Sequence, residues 1–133
     1  MGAGNPGDNS SEAASRPRIL VAEDNPSNYK LVEVLLRRNF DLQHAWDGVE
    51  AVEMYRSHKA DLVLMDISMP NMDGYEALRL IREFDPKSRV VALTAFAFDA
   101  DRQRMGEAGF DDCLPKPLTP GDFPQRVAAY LNK

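Results

Sequence analysis

The sequence predicts an α/β domain in which strands and helices alternate and the helices cover both faces of a parallel sheet. Three short apolar runs, Ile19-Leu20-Val21-Ala22, Leu62-Val63-Leu64-Met65 and Val90-Val91-Ala92-Leu93, have the length and continuity of strands buried on both faces. Stretches of helical periodicity separate them. The 133 residues suffice for one domain whose core needs neither disulfides nor a structural metal.

Residues 1–16 are rich in Gly, Ala, Ser and Asn without apolar periodicity, so they read as a disordered tail or linker, with the folded domain over 17–133. After the first strand, Val32, Leu35 and Leu36 mark one helical face. Leu42 to Ala45 supply a second strand, and Val49 with Val52 a second helix. Ala77, Leu78 and Ile81 follow the third strand at i, i+3, i+4 spacing. Phe98 to Gly109 carries Asp99, Asp101, Arg102, Gln103, Arg104 and Glu107 with few apolar residues, which predicts a weakly docked, movable fourth helix. Phe110 to Leu114 read as the fifth strand. Phe123, Val127, Tyr130 and Leu131 form the last stripe, and Pro124 is acceptable there if the helix starts near Asp122. Five β/α units in strict alternation describe a doubly wound sandwich.

A formal charge of −5 without a basic stripe argues against a nucleic-acid partner, because such binding relies on clustered Lys and Arg. Asp8, Glu12 and Arg16 give the first 17 residues −1, so −4 belongs to the remainder. With no run of 18 apolar residues and no pattern of a secretory signal or myristoylation site, no membrane insertion and a cytoplasmic location are expected. The single cysteine, Cys113, has no internal partner.

In an open parallel sheet the ligand site lies at the carboxyl ends of the strands. There the sequence puts Glu23 and Asp24 after the first strand, Asp66 at the end of the third, Thr94 at the end of the fourth, and Lys116-Pro117 after the fifth. Crowded carboxylates repel one another, so a divalent cation is called for, and hard oxygen donors favour Mg2+. One carboxylate is then left as nucleophile toward phosphorus. Such transfer depends on positioning and on charge stabilisation, which Mg2+, the Lys116 ammonium and the Thr94 hydroxyl would supply.

Ala22-Glu23-Asp24-Asn25, Leu64-Met65-Asp66-Ile67-Ser68-Met69-Pro70, Asp73-Gly74, Leu93-Thr94-Ala95 and Lys116-Pro117 together resemble the response-regulator receiver family over residues 18–133. The resemblance implies a flavodoxin-like (βα)5 fold with strand order 2-1-3-4-5. It implies that Asp66 is phosphorylated from a histidine kinase or histidine phosphotransfer protein, and that Asp24, Asp66 and the Ser68 main-chain carbonyl hold Mg2+ with help from Glu23. Thr94, Ala95 and Lys116 would face the phosphoryl group, and the surface of the fourth helix, fifth strand and fifth helix would switch to regulate a downstream partner. Such a receiver catalyses only its own phosphorylation and dephosphorylation. Asn25-Pro26-Ser27-Asn28, Met65-Asp66-Ile67 and Asp111-Asp112-Cys113-Leu114-Pro115-Lys116-Pro117 look most like receivers of hybrid histidine kinases or stand-alone receivers. One departure stands out: the family usually has an aromatic residue where Cys113 lies. The switch is therefore expected to use Thr94 with Phe96 and Phe98 instead. A cis Lys116-Pro117 bond is expected in the turn that presents the ammonium.

Each residue also has a structural reading. Asp24 or Asn25 can cap the first helix, with Pro26 in its first turn, while Asp66 and Lys116-Pro117 can be turn residues. Their convergence on one sheet edge with Thr94 makes the functional reading the stronger. His44 and His58 are expected away from the acidic set, Met65, Met69 and Met72 as gap fillers, and Cys113 as a small buried residue. A haloacid-dehalogenase-type phosphatase, which also uses an aspartyl nucleophile and Mg2+, needs a second aspartate two residues after the first, where this chain has Ser68. A receiver-like module that only binds partners would be expected to lack the acidic pair or the lysine.

Overall fold

The computed structural model describes residues 16–95, 98–116, 118 and 120–132. Its elements are β1 (Arg18–Ala22), α1 (Pro26–Leu36), β2 (Asp41–Ala45), α2 (Gly48–Ser57), β3 (Leu62–Asp66), α3 (Gly74–Phe84), β4 (Val90–Thr94), α4 (Asp99–Ala108), β5 (Asp112–Pro115) and α5 (Phe123–Leu131). All strand pairs are parallel, in the order β2-β1-β3-β4-β5, which is the expected 2-1-3-4-5.

The three apolar runs are the interior strands. β3 and β4 are buried along their whole length, because helices cover both faces. On one face Leu20, Val63, Met65 and Ala92 pack against Val52 and Tyr55 of α2, Leu78 and Ile81 of α3, and Met105 of α4. On the other, Ile19, Val21, Leu64 and Leu93 pack against Val32 and Leu36 of α1 and Phe123 and Val127 of α5. Asn25, Asp47 and Asp73 cap α1, α2 and α3, each accepting a backbone N–H three residues on. The last helix begins at Phe123 with Pro124 in its first turn, as its sequence requires.

Two expectations need correction. Val49 is exposed, and α2 buries Ala51, Val52 and Tyr55 instead. Asp47 caps the helix two residues before Val49, so the valine falls in the first turn, where its side chain stays exposed. The fifth strand starts at Asp112, not Phe110. Gly109 closes α4 in the left-handed conformation at φ 109°, and the Phe110 N–H bonds back to the Met105 carbonyl at 3.1 Å. That bond commits Phe110 to the helix end, while its ring enters the core. The sparse anchoring expected of α4 is found: Met105 is its one buried residue, and its N-terminus has no side-chain cap.

Two glycines set the loop from β3 to α3 against its neighbours. A Cβ on Gly74 would lie 2.5 Å from the Asp66 carbonyl oxygen and 3.0 Å from the Ile67 Cα, and one on Gly48 would lie 2.3 Å from the Met72 carbonyl oxygen. Gly74→Ala and Gly48→Ala are each expected to destabilise the domain by about 1–3 kcal/mol, the range for overpacking. Gly106→Ala, where a Cβ meets nothing within 4 Å inside a helix, should instead stabilise by about 0.5–1 kcal/mol. Urea unfolding of the three variants checks this. A Gly74→Ala domain as stable as wild type would show that the loop gives way.

Candidate functional site

Strand register brings the chemical groups to one edge. Ala22 pairs with Met65, Asp66 with Leu93 and Thr94 with Pro115, so Glu23, Asp66, Thr94 and Lys116 stand at the carboxyl ends of four adjacent positions in the sheet. The backbone continues this alignment beyond the ladders: Ile67 N–H donates to the Leu93 carbonyl at 3.2 Å, and Lys116 N–H to the Thr94 carbonyl at 2.7 Å.

The Lys116 ammonium donates to Glu23 Oε1 at 2.8 Å and to Asp66 Oδ2 at 3.1 Å. The other Asp66 oxygen accepts the Ser68 N–H at 3.1 Å, and Glu23 Oε2 accepts the Asn25 N–H at 3.2 Å. Glu23 is 1% exposed and Asp66 6%, whereas Asp24 is open to solvent. Burial pushes the Glu23 carboxyl above its ordinary range; the Lys116 hydrogen bond opposes that rise and the neighbouring Asp66 charge adds to it. Burial of Lys116 works against its charge, but the hydrogen bond to Glu23 and the attraction of both carboxylates outweigh it and raise its pKa.

Carboxylate oxygens of Glu23, Asp24 and Asp66 all lie within 4.8 Å of one another. Three carboxylates, two of them buried, against one ammonium leave two negative charges uncompensated. An all-oxygen donor set of that charge and spacing fits a hard divalent cation. Asn25 settles the capping question, since its side chain accepts the Asn28 N–H at 3.1 Å. Asp24 is therefore not needed as a cap.

The remaining expected residues fall around this set. Thr94 is buried at the end of β4 and Ala95 is exposed in the bend that follows. Ser68 is exposed beside Asp24 in an open hollow that also involves Asp73, Tyr75 and Arg104. Phe98, 73% exposed, precedes α4. Cys113 is a core residue paired in register with Ala92. Phe96 and Pro117, and with them the expected cis bond, lie outside the described residues. A larger hollow sits at the amino ends of the strands, lined by Arg16, Lys59, Asp85 and Arg89 among others, on the edge away from the acidic set.

Sequence reasoning missed two neighbours of the site. His44, expected elsewhere, has its Nε2 2.8 Å from the Glu23 carbonyl oxygen, because β2 pairs with β1 in a register that carries its imidazole to the same rim. Arg104 of α4 rests over the Tyr75 ring at 4.6 Å, at the lip of the hollow. A histidine next to the last residue of an edge strand and an arginine on a polar helix carry no motif that would have singled them out.

The sequence pattern of the response regulator receiver domain matches residues 19–128. The chain is 38% identical over 116 residues to the sensor histidine kinase RcsC of Salmonella typhi, a match covering 86% of this chain and 12% of that protein. It is 31% identical over 117 residues to the polar-differentiation response regulator DivK of Brucella anthropi, covering 86% of this chain and 95% of DivK. Among solved structures, the receiver domain of the sensor histidine kinase PA1611 from Pseudomonas aeruginosa, with magnesium coordinated in its active-site cleft, superposes with a TM-score of 0.82 at 32% identity, covering 90% of this chain and 100% of that one. A CheX–CheY–BeF3–magnesium complex from Borrelia burgdorferi gives 0.81 at 31% identity, covering 87% and 90% of the two chains. The chain thus spans about an eighth of the length of some relatives and nearly all of others.

Proposed function

The chain belongs to the response-regulator receiver family of two-component signalling, and on that premise we propose that Asp66 accepts a phosphoryl group from the phosphohistidine of a kinase or phosphotransfer protein. The observation that carries this reading is the Lys116 ammonium bridging Glu23 and Asp66 beside a third carboxylate. An Asp66 oxygen attacks phosphorus, the N–P bond breaks, and the donor imidazole leaves with the bonding pair.

The residues divide the work. Ser68 N–H and Lys116 hold the two oxygens of the nucleophile, so it enters the reaction already oriented. Glu23, Asp24, Asp66 and the Ser68 carbonyl are the proposed holders of Mg2+. When bound, the ion neutralises charge on the transferring phosphoryl oxygens. Lys116 would share that task, and the Thr94 hydroxyl and the backbone at Ala95 would serve the remaining phosphoryl oxygens. No separate substrate is turned over, so the domain acts only on its own phosphorylation state.

The output is a change of surface toward a downstream protein in the cytoplasm. No helix among the described residues is long and apolar enough to cross a membrane. Cys113 is too small to move a ring-sized volume in or out of the core. The switch therefore rests on Thr94 and on the segment that carries Phe96, Phe98 and α4. The weak anchoring of α4 through Met105 supports that assignment.

Incubation with acetyl phosphate and Mg2+ should add one phosphoryl group by intact mass, and the same incubation with EDTA should add none. Equal labelling with and without the chelator would overturn the metal-dependent reading.

A further inference from the structure

The imidazole of His44 stands at this site with no assigned task. β2 runs beside β1 with Val21 opposite His44 and Ala22 opposite Ala45, and the last backbone bond between them runs from Glu23 N–H to the Ala45 carbonyl at 3.0 Å. One step further the strands part. There the Glu23 carbonyl takes its hydrogen bond from a side chain, His44 Nε2, at 2.8 Å. A carbonyl only accepts, so Nε2 carries the hydrogen.

The ring is held on two sides. Tyr29 stacks on it with centroids 3.7 Å apart and planes 3° from parallel, and Trp46 packs at 4.2 Å and 45°. Tyr29 belongs to the first turns of α1, where its N–H donates to the Asn25 carbonyl at 3.0 Å. The helix that starts directly after the acidic pair thus clamps the imidazole that grips the pair's backbone.

The Glu23 carbonyl and the Asp24 N–H share one rigid peptide plane, so fixing the first sets the direction in which Asp24 leaves the sheet. Glu23 has its own side-chain anchors in Lys116 and the Asn25 N–H. Asp24 is exposed, and among the described residues its carboxylate has no hydrogen bond to steer it. Its aim depends on the backbone, and the backbone depends on His44.

We propose that His44 is a positioning residue for the cation-holding acidic pair: its Nε2–H bond to the Glu23 carbonyl fixes the Glu23–Asp24 peptide and so preorganises Asp24 toward Mg2+. This rests on the metal-dependent reading above. Groups that hydrogen-bond to metal-ligating residues and orient them typically account for about 10–100-fold in metal affinity.

Two substitutions separate the hydrogen bond from the ring packing. His44→Phe keeps an aromatic face for Tyr29 and Trp46 but removes the donor. His44→Gln places an amide N–H at similar reach and removes the ring. Mg2+ titration by isothermal calorimetry, with thermal unfolding in EDTA run alongside, should show His44→Phe binding Mg2+ roughly tenfold more weakly than wild type. His44→Gln should stay closer to wild type than to His44→Phe, whatever the two do to melting. Equal affinity in wild type and His44→Phe overturns the proposal, as does equal weakening in both variants, which would assign the effect to ring packing. A wild-type domain that binds no Mg2+ would instead sink the metal reading itself, along with this consequence of it.

Discussion

Asp66→Asn is expected to abolish phosphoryl uptake from acetyl phosphate in the presence of Mg2+ while leaving the fold intact or slightly stabilised. The two carboxylate oxygens of Asp66 are held by different partners, Ser68 N–H and the Lys116 ammonium. An asparagine retains one oxygen as acceptor but loses the anionic nucleophile. It also removes one of three carboxylates crowded within 4.8 Å, so the loss of the Lys116 attraction is offset by relief of repulsion with Glu23. Neither neighbour replaces it: Glu23 is buried and committed to Lys116 and the Asn25 N–H, and Asp24 lies outside the central strand. Intact mass and the base lability expected of an acyl phosphate provide the measurement. Labelling of Asp66→Asn at the wild-type rate would place the acceptor elsewhere.

How much of this was legible before folding depended on whether the signal was local. β3 and β4 are covered on both faces, so burial wrote itself into the sequence as uninterrupted apolar runs. β2 and β5 are edge strands, and their half-exposed patterns left boundaries uncertain; at Phe110 a helix-closing hydrogen bond overrode strand-like composition. Val49 shows a similar limit, since helical spacing gives a face but not where the first turn meets the rim. The acidic residues, Thr94 and Lys116 were legible because strand ends are predictable from the strands themselves. His44 was not, because its contact with Glu23 is set by the lateral register of two parallel strands separated by a whole helix. Arg104 was hidden for the same reason: its partner Tyr75 belongs to another helix.

Lys116→Met should be the most damaging single change to the folded site, and its pH dependence should identify why. The ammonium offsets the buried Glu23 carboxylate, whose side chain is 1% exposed, while the lysine side chain is itself only 17% exposed. Removing one member of a buried pair typically costs about 3–5 kcal/mol because the other charge is left uncompensated; partial solvent access and the possibility of protonating Glu23 reduce the expectation here to about 2–3 kcal/mol at neutral pH. Glu23 already has a folded-state pKa above its ordinary value, owing first to burial. A raised carboxylate pKa means that the folded state prefers the protonated form, so its stabilising effect is fully present below the unfolded pKa and is lost as pH rises through the folded one. Without Lys116 the folded pKa rises further and that window widens upward. Urea titrations in EDTA should therefore show the gap between Lys116→Met and wild type narrowing as pH falls from 8 toward 5, a range over which the loss of an exposed ion pair would leave the gap flat. Glu23→Gln in the Lys116→Met background should recover most of the lost stability and flatten this pH dependence. A gap that stays constant with pH, or a double variant as unstable as Lys116→Met alone, would mean that the lysine contributes through packing of its aliphatic stem and not through the buried charge.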